Sequence, residues 1–199
     1  MVTKYQQVKQ DFLSGRLKGC RDYFESHNHP LEAGYCYMVL DNFKKAKEMF
    51  EKAKVDDLRG HWGLMLLQMI EEKISMSPTY FEVRNFLEPD LDIFITYRKG
   101  DIVQQIIKYA DFMAFYNMEC YKFIGRAFWA HNIMAPAMFF LKKAQDNLYK
   151  DPELHYLLAY IHYTNKDIKN CQKEIDICLD ILPQYAPAMM LKRKINISS

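Results

Sequence analysis

A chain of 199 residues, half of them hydrophobic and 26% charged, has enough apolar material for a sizeable core, which excludes a disordered segment. Seven glycines and seven prolines leave little turn material for an all-β fold, and no run approaches the ~20 apolar residues of a membrane span. The net charge of +2 is too balanced to point to nucleic acid.

Residues 3–14 are predicted as the first helix, stopped by Ser14-Gly15, and 17–27 as the second, ended before Pro30. Pro30 suits the first turn of a helix over 30–40, and Asp41-Asn42 a turn and N-cap opening one over 43–54. Asp56 or Asp57 caps a helix over 58–73. Ser77-Pro78 starts a helix that runs to Leu87; Pro89 is expected to break it and permit a restart ending near Lys99-Gly100. Asp101 caps a helix over 102–114, and Asn117 a longer one over 118–131. Ala135-Pro136 opens the next. Asp151-Pro152-Glu153 then combines a cap, a first-turn proline and an acid at the positive end of the helix dipole. That helix ends near Thr164; Asp167 caps its successor, which stops at Pro183, and a last helix covers 186–196. About thirteen helices on loops of two to five residues imply antiparallel neighbours.

A small-residue pattern recurs along these helices. Gly34 precedes Ala46 by twelve positions, as Gly125 precedes Ala137 and Ala159 precedes Cys171. Each second residue heads a trio at spacings of four and three: Ala46, Phe50, Ala53; Ala137, Leu141, Ala144; Cys171, Ile175, Cys178. Small residues let two helices approach, so a fixed offset means one helix-turn-helix unit used repeatedly. With the aromatic Tyr37 or Phe128 three residues after the first glycine and the closing Pro183, the pattern resembles the tetratricopeptide repeat (TPR). The resemblance covers residues 27–58, 118–151 and 152–185. Residues 1–26 and 59–117 fit weakly: Trp62 is similar to a helix A tryptophan, and Gly60 and Gly63 read as loosening the pattern. The resemblance implies an all-α, right-handed superhelical α-solenoid of antiparallel helix pairs forming a single domain, with 186–196 as a C-terminal capping helix.

The same resemblance implies a non-catalytic module that binds a partner peptide or helix in a concave groove lined by first helices. Carried onto this chain, the groove residues are Glu119, Lys122, Arg126 and Trp129, then Glu153, Tyr156, Tyr160 and Tyr163. Tyr35 and Met38, and Phe94, Tyr97 and Arg98, occupy the corresponding face elsewhere. Lys122 and Arg126, four apart, place two cations on one face and are expected to supply charge selection. The bland alternative is a surface pair neutralised by Glu119 or another carboxylate. The tyrosine stripe reads equally as groove lining or interhelical packing.

No HExxH, GxSxG or phosphate-binding glycine loop occurs, so no catalytic residue, metal or cofactor is expected. His155 and His162 fall at seam positions and read as packing residues, and Asp90 and Asp92 as helix-start charges. The five cysteines lack a Cys-x-x-Cys pair and read as reduced, mostly buried thiols. The opening residues have no apolar h-region, so a cytoplasmic protein is expected. Lys192-Arg193-Lys194 reads as a solvated helix end. The expected partner is a protein, not nucleic acid or a membrane. Alternatives are a secretion-type chaperone using exposed methionines (Met134, Met138, Met189, Met190), a self-assembling scaffold (a homo-oligomer), or a regulatory subunit.

Overall fold

The computed structural model describes residues 2–198, with side chains through residue 195. Thirteen α-helices and no strand are found among the described residues, which are therefore all-α. Contacts divide it into two compact units, Met1–Asn117 and Met118–Ser199.

The first unit holds α1 (Lys4–Leu13), α2 (Cys20–Ser26), α3 (Pro30–Val39), α4 (Phe43–Ala53), α5 (Leu58–Ile70), α6 (Tyr80–Thr96), α7 (Gly100–Lys108) and α8 (Ala110–Tyr116). The second holds α9 (Cys120–Ala130), α10 (Met134–Gln145), α11 (Pro152–Thr164), α12 (Ile168–Ile181) and α13 (Ala186–Ser198). Helix starts follow local chemistry. The side chains of Asn42, Asp57, Asp151 and Asp167 accept from backbone N–H groups of α4, α5, α11 and α12. Thr79, and not Ser77, opens α6, through a reciprocal capping box with Glu82. Asp101 lies inside the first turn of α7, and Asn117 is buried.

The small-residue pattern is the seam between paired helices. Ala46, Ala137, Ala159 and Cys171 are fully buried. A Cβ on Gly34 would meet three Phe50 ring atoms at 2.5–3.0 Å, and one on Gly125 would meet Leu141 side-chain atoms at 2.7–2.8 Å. Gly60 and Gly63 are corrected by the structure: they tighten the packing of α5 on α4. A Cβ on Gly63 would lie 2.6–2.7 Å from Phe50, and one on Gly60 would run into the Lys54 backbone nitrogen.

The turns explain the offset of twelve. Asp41, Asn132 and Lys166 each adopt a left-handed backbone (φ 58–60°), seven residues after the first small residue and five before the second. The following N–H reaches back five residues in each: Asn42 to Tyr37, Ile133 to Phe128 and Asp167 to His162, all 2.9 Å. This is the Schellman closure of a helix C-terminus. Arg98 (φ 57°) repeats it, with Lys99 N–H donating to the Phe94 carbonyl at 2.8 Å. The seam positions around it are Leu91 and Val103, both buried. So α6 and α7 form a further pair of the same design inside the stretch that fits the sequence pattern weakly.

Two expected boundaries are corrected. Pro89 does not break α6, which runs unbroken to Thr96. Proline deletes one backbone bond. The stripe Val83, Leu87, Asp90, Leu91, Phe94 is fully buried on both sides of it, and Pro89 itself faces solvent. The expected 102–114 helix is instead α7 and α8, separated at Tyr109 (φ −96°, ψ 17°).

Asp90 is likewise corrected: it is a fully buried anchor between helices. It accepts from the Tyr35 hydroxyl (2.7 Å), from Trp62 Nε1–H (2.7 Å) and from the Arg59 guanidinium. Buried Glu82 likewise pairs with His61 Nδ1 at 2.5 Å while capping its own helix. Two acids on α6 are thus satisfied by donors from α5 and α3, as buried charge requires.

Candidate partner-binding face

In the second unit, α9 and α11 bring the two cations and the aromatic stripe together. The Lys122 side chain keeps only 8% of its exposure. Its Nζ lies 2.6 Å from Asp151 Oδ2, 3.3 Å from Glu119 Oε1 and 3.6 Å from Glu153 Oε2. Asp151 also caps α11, its other oxygen accepting from Leu154 N–H at 3.1 Å. Burial alone would lower the Lys122 pKa, but the hydrogen bond to Asp151 and the acids around it raise it, so the ammonium stays charged. Arg126 lies 3.1 Å from Glu153 Oε1. Two cations therefore meet three carboxylates within the protein. Lys122 and Arg126 are thus neutralised by carboxylates within the unit, and Lys122 holds α9 against the start of α11.

The aromatic side chains form a row. The Trp129 ring sits edge-on to Tyr160 with centroids 5.8 Å apart; Tyr160 lies 6.4 Å from Tyr156, and Tyr156 5.7 Å from Tyr185. All four are half-buried. Tyr156, Tyr160 and Tyr163 rest against the core of Ala159, Cys171, Ile175, Leu191 and Ile195 shared by α11, α12 and α13. Tyr156, Tyr160 and Tyr163 thus pack in part against this core while keeping partial exposure. Tyr163 carries Lys194 of α13 over its ring at 5.0 Å, and Lys192 pairs with Asp176 at 2.8 Å, so two residues of the basic tail are engaged within the unit. Trp129 Nε1–H is shielded and has no hydrogen-bond partner among the described residues.

The remaining expected site residues belong to the first unit, and all but Arg98 serve its packing. Tyr35 is corrected to a core residue: it is 3% exposed, bonded to Asp90, and covered by the Arg59 guanidinium 4.9 Å above its ring. Met38 and Phe94 are fully buried, so they too leave the expected groove. Tyr97 is half-buried, stacks on Phe12 at 5.3 Å, and donates its hydroxyl proton to the Phe12 carbonyl at 2.7 Å. Arg98 is exposed at the left-handed turn position.

Tyr185 is the residue of the row that sequence reasoning missed. It lies on the loop between α12 and α13, and loop residues have no periodicity to reveal a shared face. His155 is buried, bonding Glu174 at 2.6 Å and the Tyr149 carbonyl at 2.9 Å; His162 bonds Asp167 at 3.0 Å. All five cysteines are buried, and none forms a disulfide. No group of three or more His, Cys, Asp or Glu residues that could hold a metal ion is found among the described residues. No helix among them is long and apolar enough to cross a membrane.

No protein-family model matches the sequence, and no curated protein matches it. Among solved structures, the crystal structure of YrrB, a TPR protein with an unusual peptide-binding site, is similar over 97% of this chain and 100% of its own. The two share 12% identity at a TM-score of 0.44.

Proposed function

We propose that this chain is a non-catalytic interaction module that takes an extended peptide or a helix of a partner protein on the aromatic face of its second unit. The observation that carries the reading is the row Trp129, Tyr160, Tyr156 and Tyr185, four rings in successive contact and all half-exposed. Rings packed in part against a core lose little side-chain freedom on binding, while their exposed parts offer apolar area and polar tips. With Lys122 held by three carboxylates, recognition falls on the rings more than on a cation clamp.

The test is Tyr156→Ser with Tyr160→Ser, both half-buried, with the fold monitored alongside binding. A partner captured by the parent protein and then purified separately should bind the double variant about tenfold more weakly or worse, a loss of ~1.4 kcal/mol. Helical content should be retained. Equal affinity for parent and variant removes the face from consideration. A client-holding chaperone is a second reading, favoured by the exposure of Met190 (70%) and Met189 (38%) on α13, although Met134 and Met138 are half-buried. That role would survive the tyrosine substitutions and fall with Met190→Ser.

A further inference from the structure

We propose that the occupant of this face presents a lysine or arginine side chain, seated against Tyr156 and Tyr160 beside Glu153. This rests on the reading of the face as a peptide site and names the chemistry of its partner.

Charge placement favours a cation. The one nearly enclosed charge of the α9–α11 face is a cation, Lys122 at 8% exposure, whereas its carboxylate partners Asp151, Glu119 and Glu153 keep 19%, 23% and 36%. Arg126, at 35%, is already against Glu153. Three acids to two bases leave α9 and the start of α11 net negative, while Lys194 of α13 lies at the far, Tyr163 end of the row. The influence of these acids reaches the row: the Tyr185 hydroxyl is raised first by burial and then by Glu153, with Asp151 also contributing. An anionic occupant would have to draw Lys122 away from three carboxylates. A cationic one needs only to share Glu153.

A precedent lies within the unit. Lys194 already places its ammonium over the Tyr163 ring, the last tyrosine of the same α11 stripe. Tyr160 and Tyr156 are the preceding members of that stripe, three and seven residues earlier. The electron-rich ring face attracts a cation, the more so when a carboxylate stands beside it. A lysine or arginine at the tip of a flexible side chain meets both groups, its stem lying along the ring edges.

The experiment is selection of a random twelve-residue peptide library displayed on phage against the immobilised full chain, followed by anisotropy measurements on synthetic copies of the enriched peptides. Enriched peptides should carry more Lys and Arg than the unselected library and lose binding to Tyr160→Ser. Glu153→Gln should weaken them roughly three- to tenfold, and Arg126→Gln, which releases Glu153, should tighten them. Tyr160-dependent peptides that are neutral or acidic overturn this inference while leaving the peptide site standing. So does an affinity that Glu153→Gln leaves unchanged or that Arg126→Gln weakens. If no enriched peptide depends on Tyr160, the peptide site and the inference fall together.

Discussion

Replacing Gly34 by alanine sets two effects of similar size against each other. Alanine in a helix interior is favoured over glycine by about 1 kcal/mol. Against this, the new methyl would sit 2.5, 2.7 and 3.0 Å from three atoms of the Phe50 ring. The ring has nowhere to go. It is fully buried, Gly63 presses on it with the same 2.6–2.7 Å clearance for a methyl, and the Tyr35 ring stands edge-on at 5.2 Å. Overpacking a tight core costs about 1–3 kcal/mol, and an approach ~1 Å inside ordinary contact belongs at the upper end. Gly34→Ala should therefore lose about 1–2 kcal/mol in urea unfolding, despite its better helix propensity. Phe50→Leu removes the obstructing ring atoms at its own cost of up to ~1.5 kcal/mol. The double variant should then lose less than the sum of the singles, with a coupling of about 1 kcal/mol. A Gly34→Ala protein as stable as the parent, or strict additivity with Phe50→Leu, would refute the argument that the seam is set by this ring.

Two further outcomes follow from single groups. His155 sits between Glu174 and the Tyr149 carbonyl, with Gln145 on Glu174 and the charges of Asp151 and His162 acting on the pair. Burial would lower the His155 pKa, but its hydrogen bonds raise it; burial would raise that of Glu174, but His155 lowers it. The histidine's contribution is full below its unfolded pKa of ~6.5 and is lost as pH rises through its folded value. That of Glu174 is present above ~4.3 and is lost as pH falls through its folded value. The stability gap between parent and His155→Gln should thus be widest between roughly pH 4.5 and 6.5 and narrow on the alkaline side; a gap constant from pH 5 to 9 contradicts it. At Lys166, exposed and held at φ 60°, glycine should raise stability by about 0.5–1 kcal/mol in thermal unfolding, because a residue with a side chain is strained in that backbone conformation; a loss would show that the lysine contributes more than its backbone costs.

What could be read from residue types was the seam. Gly34, Gly125, Ala159 and their partners twelve residues on report a packing requirement that few residues satisfy, so the requirement is visible in the chain. The α6–α7 pair obeys the same turn geometry but fills its seam with Leu91 and Val103, and an outward-facing proline lies inside its first helix. Neither residue type signals close approach, which is why that pair escaped the pattern. On α9 and α11 helical spacing was enough to group Trp129, Tyr156 and Tyr160, whose rings do lie in one row. It was misread where one helix face serves two ends. Tyr35 lies at the position that implied exposure, yet Asp90, fifty-five residues away, supplies a buried acceptor for its hydroxyl. Such long-range pairing has no local signature, and it converted an expected surface tyrosine and an expected helix-start charge into one buried link.

The five-residue closure of each helix pair bears on how the protein folds. A bond from Asn42 back to Tyr37, or from Asp167 back to His162, joins helices adjacent in sequence, so partners meet before any long loop must close. Topologies dominated by such near-neighbour pairings fold fast and assemble by accretion, each hairpin presenting an apolar flank on which the next condenses. Opening follows the reverse order, graded by how many flanks a hairpin has covered. In the second unit, α11 is the most sheltered, packing on α10, α12 and α13 at once. The helix that bears the tyrosines is thus also the one whose amides should exchange last.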